Sequence, residues 1–136
     1  YYGYDDAIYA SLKLIKIIND AKSKLSDLIE PYIKSSSTPE IKLYCEESMK
    51  FNLLNEIITK LKKSYQKDTL IDIDGIRIES EYFWFLIRAS NTQNCLVFRL
   101  EHFKKKQFKE ELKNLISIFN KFDLDISELN SFHNAI

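Results

Sequence analysis

Hydrophobic positions recur every three or four residues in three long stretches of the chain, and every second residue in the segments between them. In "YDDAIYASLKLIKIIND", Ala7, Ser11, Leu14 and Ile18 form one stripe with Ile8, Leu12 and Ile15 beside it, which predicts a helix. Asp5 or Asp6 can cap it, a carboxylate meeting the orphan N–H groups and the positive end of the dipole. "SKLSDLIEPYI" predicts a short second helix stopped near Pro31. The serine- and proline-containing "KSSSTPE" then reads as a linker. A third helix follows in "ESMKFNLLNEIITKLKKSY", with Phe51, Leu54, Ile58, Leu61 and Tyr65 on its stripe. A fourth lies in "FKKKQFKEELKNLISIFNKF", where Phe108, Leu112, Leu115, Phe119 and Phe122 line up. The closing "DLDISELNSFHNAI" has room for one more short turn.

The alternating segments predict strands. "EIKLYCE" sets Ile41, Leu43 and Cys45 against Lys42, Tyr44 and Glu46. "IDIDGIRI" reads as a hairpin with Asp74-Gly75 as a two-residue turn. Ile73 then faces Ile76, Ile71 faces Ile78, and Asp72 pairs with Arg77 on the other face. "EYFWFLIR" and "CLVFRLE" continue the meander. The order after the linker is β-α-β-β-β-α. Its simplest α+β solution is an antiparallel four-stranded sheet with two helices packed on one face. The helices before the linker have no sheet of their own and read as the end of a preceding domain. The expected division is residues 1–30 for that end, 31–40 for the hinge and 41–136 for the C-terminal domain.

Composition narrows the function. Of 136 residues, 45% are hydrophobic, enough for a real core. Lys plus Arg and Asp plus Glu are 20 each, so there is no broad positive field for nucleic acid or an anionic membrane. No apolar run has the length of a membrane span, and no signal-peptide pattern opens the chain. The first residue is Tyr1 rather than Met, as expected of a chain trimmed or cut from something longer. Cys45 and Cys95 are far apart and read as reduced, half-buried cytosolic thiols. With only His102 and His133 beside them, zinc ligation has too few ligands. Gly3 and Gly75 are the only glycines, which removes the P-loop and the dinucleotide fingerprint.

Most candidate site residues have plain structural readings. Asp5-Asp6 and Glu46-Glu47 are sequence neighbours that point apart, so helix-start electrostatics explains them better than an acid/base pair. Lys104, Lys105, Lys106 and Lys109 read as a solvated helix face, Trp84 as a core residue and His102 as an edge residue without a local partner. The glycine-free loop "RASNTQN" is different in kind. Arg88 can give a bidentate charge-assisted pair to a phosphate, Ser90 and Thr92 give hydroxyls, Asn91 gives an amide, and the backbone can form an anion nest. By composition alone a plain polar hairpin loop is the favoured reading, because short loops of Ser, Asn and Thr are common.

"DGIRIESEYFWFLIRASNTQN" resembles the C-terminal domain of the α-D-phosphohexomutases. There a D-G-hydrophobic-R/K hairpin leads into a W-hydrophobic-hydrophobic-R strand and a loop of the form R-A-S-N-T-E-P or R-P-S-G-T-E-P. "SSTPEIKLYCEESMKF" is similar to the family's lead-in to that domain, and "YYGYDDAIYASLKLI" to the end of its third domain. The resemblance thus covers nearly the whole chain in order. The S-N-T form looks like the phosphomannomutase/phosphoglucomutase branch. Two positions depart from the pattern: Gln93-Asn94 stands where the family has Glu-Pro.

The resemblance implies a four-domain enzyme that interconverts 1-phospho and 6-phospho hexoses through a bisphosphate. A phosphoserine, a magnesium ion and a sugar loop would lie in its first, second and third domains. It implies a TATA-binding-protein-like fourth domain that closes over the cleft, with Arg88, Ser90, Asn91 and Thr92 on the phosphate of the hexose phosphate. The implied partners are that substrate and the other three domains, and the implied location is the cytoplasm. No catalytic or metal-binding residue and no cofactor is expected within these residues, so the chain alone is expected to turn nothing over. The alternative is a non-enzymatic interaction module or nucleic-acid-binding α+β module.

Overall fold

The computed structural model of the chain describes residues 3–30 and 33–136. These form two compact units, Tyr1–Lys34 and Ser35–Ile136. The first holds helices α1 (Ala7–Ala21) and α2 (Leu25–Ile29). Asp6 is the cap of α1, its carboxylate accepting the Tyr9 N–H at 2.8 Å. Lys22 ends the helix in the left-handed conformation at φ 51°. None of the described residues of this unit is buried, and Ile8 and Leu12 are 77% and 62% exposed. Its helices therefore have no core of their own. The expected helix stop at Pro31 lies outside the described residues.

The second unit contains strands β1 (Ser36–Ser37), β2 (Ile41–Tyr44), β3 (Thr69–Ile71), β4 (Ile76–Glu79), β5 (Phe83–Ala89) and β6 (Cys95–His102). Its helices are α3 (Lys50–Ser64), α4 (Lys105–Phe119) and α5 (Ser127–Ala135). All strand pairs are antiparallel. β5 lies along one edge of β6, and β1 and β2 lie end to end along the other. β4 and β3 follow outward from β5. The sheet thus has six strands rather than four: the hairpin and the two strands after it already make four (β3 to β6), β2 adds a fifth beside β6, and the short, unexpected β1 a sixth.

β1 carries no hydrophobic alternation, which is why a linker was expected there. Its place is set by Thr38, 1% exposed, whose N–H donates to the Leu100 carbonyl at 2.9 Å. The Thr38 hydroxyl in turn accepts the Leu100 N–H at 3.0 Å. Strand alternation puts Ile41, Leu43, Ile76, Ile78, Phe85, Ile87, Leu96, Phe98 and Leu100 on one face. The buried sides of α3, α4 and α5 close over it in a single cluster. Tyr65 follows α3, sets its ring edge-on to Phe85 and donates its hydroxyl to Glu111 of α4 at 2.6 Å. The closing segment is a nine-residue helix rather than a short turn, held because Leu129 is fully buried.

Three expectations about faces change. The hairpin pairs Ile71 with Arg77 and Leu70 with Ile78, one residue out of the expected register. Such a slip exchanges the faces of a strand. Leu70 turns inward and Ile73 is 92% exposed in a longer loop. Gly75, at φ 83°, ends that loop as the left-handed residue of a three-residue hairpin connection does. Asp72 pairs with Lys62 at 2.6 Å, and Arg77 with Glu79 at 2.6 Å, in place of the expected Asp72–Arg77 bridge. Trp84 is not in the core: it lies on the opposite face, under the Arg77 guanidinium at 3.9 Å. His102 is not an edge residue, because β1 covers β6 there. It is 3% exposed, stacks on Phe83, and accepts the Lys104 N–H on Nδ1 at 2.9 Å.

A Cβ at Gly75 would stand 2.2 Å from the Ile87 carbonyl oxygen, in addition to the left-handed strain. Gly75→Ala should therefore cost about 2–4 kcal/mol in urea unfolding, and an unchanged midpoint would refute the close approach. Burial holds the His102 imidazole below its ordinary value of 6.5, the Lys104 charge adding to this and Glu111 opposing it. The unfolded chain then binds the extra proton first. Stability should be complete above about pH 6.5 and fall as pH drops below it. His102→Gln should flatten that slope in unfolding curves measured between pH 7.5 and 5.5.

Candidate functional site

The loop that joins β5 to β6 spans residues 90–94. The Ser90 N–H donates to the Cys95 carbonyl at 3.0 Å, and the Cys95 N–H donates back to Gln93 at 2.9 Å. The Ser90 hydroxyl oxygen accepts the N–H groups of Thr92 at 3.4 Å and Gln93 at 3.2 Å. The loop therefore folds around its own first side chain, the local competition for backbone donors that favours serine in turns. Among the described residues, the only non-glycine with positive φ is Lys22, so every loop residue keeps negative φ. This is why the reversal needs no glycine. Ser90 is 8% exposed, while Asn91 and Thr92 stand exposed at the tip. With two N–H groups on its oxygen, Ser90 keeps its own proton free to donate.

Beneath the loop sits Lys50, the first residue of α3, only 3% exposed. Its ammonium donates to the carbonyls of Ser90 at 2.9 Å and Gln93 at 3.3 Å. It also contacts both carboxylate oxygens of Glu47, at 3.0 and 2.9 Å, from the 3-10 turn just before the helix. The Cys45 N–H holds the far edge of the loop by donating to the Asn94 carbonyl at 3.1 Å. The sequence reading missed Lys50. The expected α3 stripe starts at Phe51, which is 61% exposed, whereas the buried side is Lys50, Leu53, Leu54, Ile57 and Leu61. The signal was a lysine three and four residues before two buried leucines, inside the apolar stripe.

Arg88 lies near the end of β5 on the sheet face turned away from the helices, since Ile87 and Ala89 beside it point into the core. Its guanidinium approaches the Asp74 carboxylate only at 3.9 Å, beyond hydrogen-bond length, and the side chain is 33% exposed. Gly75 crosses directly against the Arg88 backbone, the Cα being 2.7 Å from where a Cβ would lie. The Asp74-Gly75 hairpin thus supports the base of the loop. The same face carries Arg77, Trp84 and Arg99, with the two guanidinium groups 3.9 and 5.9 Å from the indole centroid.

The other candidates take structural places. Lys104 lies over the Tyr82 ring, and Lys105, Lys106 and Lys109 are exposed. Glu46 begins the 3-10 turn, and Glu47 is the partner of Lys50. Both cysteines are free thiols, Cys95 fully buried, and burial together with neighbouring Cys95 pushes the Cys45 thiol up. Among the described residues no cluster of three His, Cys, Asp or Glu side chains could hold a metal ion, and no helix is long and apolar enough to cross a membrane.

The family model described as "Phosphoglucomutase/phosphomannomutase, C-terminal domain" matches residues 40–117. A phosphomannomutase/phosphoglucomutase of Pseudomonas syringae pv. tomato is 34% identical over 122 residues, which are 88% of this chain and 24% of that protein. A phosphoglucomutase of Neisseria gonorrhoeae is 32% identical over 101 residues, 74% of this chain and 22% of that protein. The crystal structure of a phosphoglucomutase/phosphomannomutase family protein from Burkholderia thailandensis has the same fold. It aligns with a TM-score of 0.68 at 24% identity, over 89% of this chain and 25% of that one. The chain thus spans about a quarter of the length of the curated relatives it matches.

Ser90→Ala should free the Thr92 and Gln93 N–H groups. Their amide hydrogen exchange should quicken by about ten-fold, the loss of one hydrogen bond of ordinary net strength, with core amides unchanged. Exchange that stays slow at both positions would show that the hydroxyl does not brace the loop.

Proposed function

The chain belongs to the phosphoglucomutase/phosphomannomutase family as its C-terminal domain, and on that premise we propose that its 90–94 loop, with Arg88, grips the phosphate group of a hexose phosphate. The observation that carries this reading is the state of the loop. Lys50 and the Ser90 oxygen brace it from within, while among the described residues the nearest acid to the Arg88 guanidinium, Asp74, stays at 3.9 Å, beyond hydrogen-bond length. Arg88 then supplies a planar fork of donors for phosphate oxygens, the Ser90 and Thr92 hydroxyls and the Asn91 amide supply further donors, and all are carried on a rigid hairpin end. A braced loop loses little freedom when the ligand arrives, so more of the interaction energy appears as binding.

In the full-length protein, this domain would close over an active site formed by three preceding domains. It would hold the phosphate that is not being transferred while another domain performs the chemistry. Such a grip contributes position rather than bond-making, and it would accept both the 1-phospho and 6-phospho orientations of the bisphosphate intermediate. The full-length protein would then be an isomerase acting in the cytoplasm. Its phosphoserine and magnesium ion would reside in the earlier domains, and residues 1–136 alone would turn over nothing. A nucleic-acid role fits less well: Trp84, on the outer face, already lies under Arg77, with Glu79 and Glu101 on the facing positions of its neighbouring strands.

In the full-length protein, Arg88→Ala should raise KM for glucose 1-phosphate by about 100-fold, the scale of a lost bidentate charge-assisted contact, and Arg88→Lys should recover part of it. Mutase kinetics indifferent to Arg88→Ala would sink the assignment.

A further inference from the structure

We infer that Lys50 is a positioning residue for anion binding at the 90–94 loop: it fixes which loop N–H groups face the ligand and places a positive charge behind them. This rests on the reading of the loop as a phosphate grip. A lysine is a costly choice for a buried stripe position that a methionine would fill, since burial of an ammonium is tolerated only when it is fully paired. Here it is. Three protons meet two carbonyls and a carboxylate.

The consequence for the loop follows from peptide geometry. A trans peptide points the N–H of each residue opposite the carbonyl of the residue before it, and none of the described peptide bonds is cis. With the Ser90 and Gln93 carbonyls drawn inward onto Lys50, the N–H groups of Asn91 and Asn94 point outward. Those of Thr92 and Gln93 are occupied by the Ser90 oxygen, whereas those of Asn91 and Asn94 donate to no other described residue. Asn94 matters particularly. In the Glu-Pro form of the motif a proline stands there, and proline has no N–H to offer. The substitution that removes a rigid residue from the loop edge also adds a backbone donor to the anion site.

The charge is unequally screened. The Lys50 side chain is 4% exposed and that of Glu47 is 56% exposed, so water screens the carboxylate more than the ammonium. Neutralising each member of the pair should therefore act on anion affinity with opposite signs. A pair that only holds the fold together would act with one sign.

The test uses the full-length protein with glucose 1-phosphate, folding checked by circular dichroism and thermal unfolding. Lys50→Met should raise KM about ten-fold, more than it lowers kcat, and Lys50→Arg should restore part of the loss. Glu47→Gln should lower KM by about three-fold at low salt, the gain fading as ionic strength rises. A Lys50→Met protein with a lower melting point but unaltered KM would overturn the inference, as would a Glu47→Gln protein whose KM rises. Should Lys50→Met fail to fold, the direction of the Glu47→Gln change decides. If Lys50 is dispensable while Arg88→Ala still raises KM, only this inference falls. If Arg88→Ala also leaves KM unchanged, the phosphate-grip reading falls with it.

Discussion

Seven residue pairs join β5 to β6, and the geometry of the second unit is organised around that ladder. Because successive side chains alternate between faces, the pairing sends Phe85, Ile87, Ala89, Leu96, Phe98 and Leu100 into the helices. The same alternation sends Trp84, Leu86, Arg88, Val97 and Arg99 to the other side. A shift of one residue would bury Arg88 and expose the phenylalanines. The burial of aromatic and aliphatic side chains therefore specifies where the guanidinium stands, although Arg88 has no part in the core. It also fixes where the strand ends, and so where the loop begins.

The loop itself uses an economy different from the familiar turn. Tight hairpins commonly take a left-handed glycine, as the connection at Gly75 does. The 90–94 loop instead satisfies its backbone from side chains: the Ser90 oxygen receives two N–H groups and the Lys50 ammonium receives two carbonyls. Its conformation depends on a helix and a turn outside the hairpin. It is a tertiary object with a short local sequence, and this tertiary bracing makes it suited to holding a ligand in one place. The neighbouring hairpin contributes from the other side. Gly75 permits an approach to the Arg88 backbone that a Cβ would block.

Reading from the residues succeeded where one face alone supplied the signal. The α4 stripe of Phe108, Leu112, Leu115 and Phe119 is buried as its spacing predicts, and β2 buries Ile41 and Leu43. It failed where two registers were nearly equivalent. The isoleucines at 71, 73, 76 and 78 allow two hairpin pairings, and the one adopted is decided by Leu70 finding Ile78 on the core side. In α3, Phe51 outweighs Lys50 on any hydrophobicity scale, yet the lysine is inside because carbonyls and a carboxylate await it there. Trp84 and His102 exchanged their expected places for a similar reason. The indole could leave the core for a guanidinium, and the imidazole could enter it because β1 and the Lys104 N–H close around it.

The motifs at Asp74-Gly75 and at Arg88–Thr92, and their order along the chain, were enough to point to the family, and the family match bears that out. Periodicity was enough for the class of the fold, because amphipathic spacing is a local property of helices and strands. What only the tertiary structure decided was how the loop is held. The Ser36–Ser37 strand joins the sheet where Thr38, next to it, exchanges two hydrogen bonds with Leu100, far away in sequence. Lys50 belongs beneath the loop because of carbonyls 40 and 43 residues later. Hydrogen bonds of that reach leave no periodic trace in a sequence, since what selects the residue is a partner that arrives only on folding.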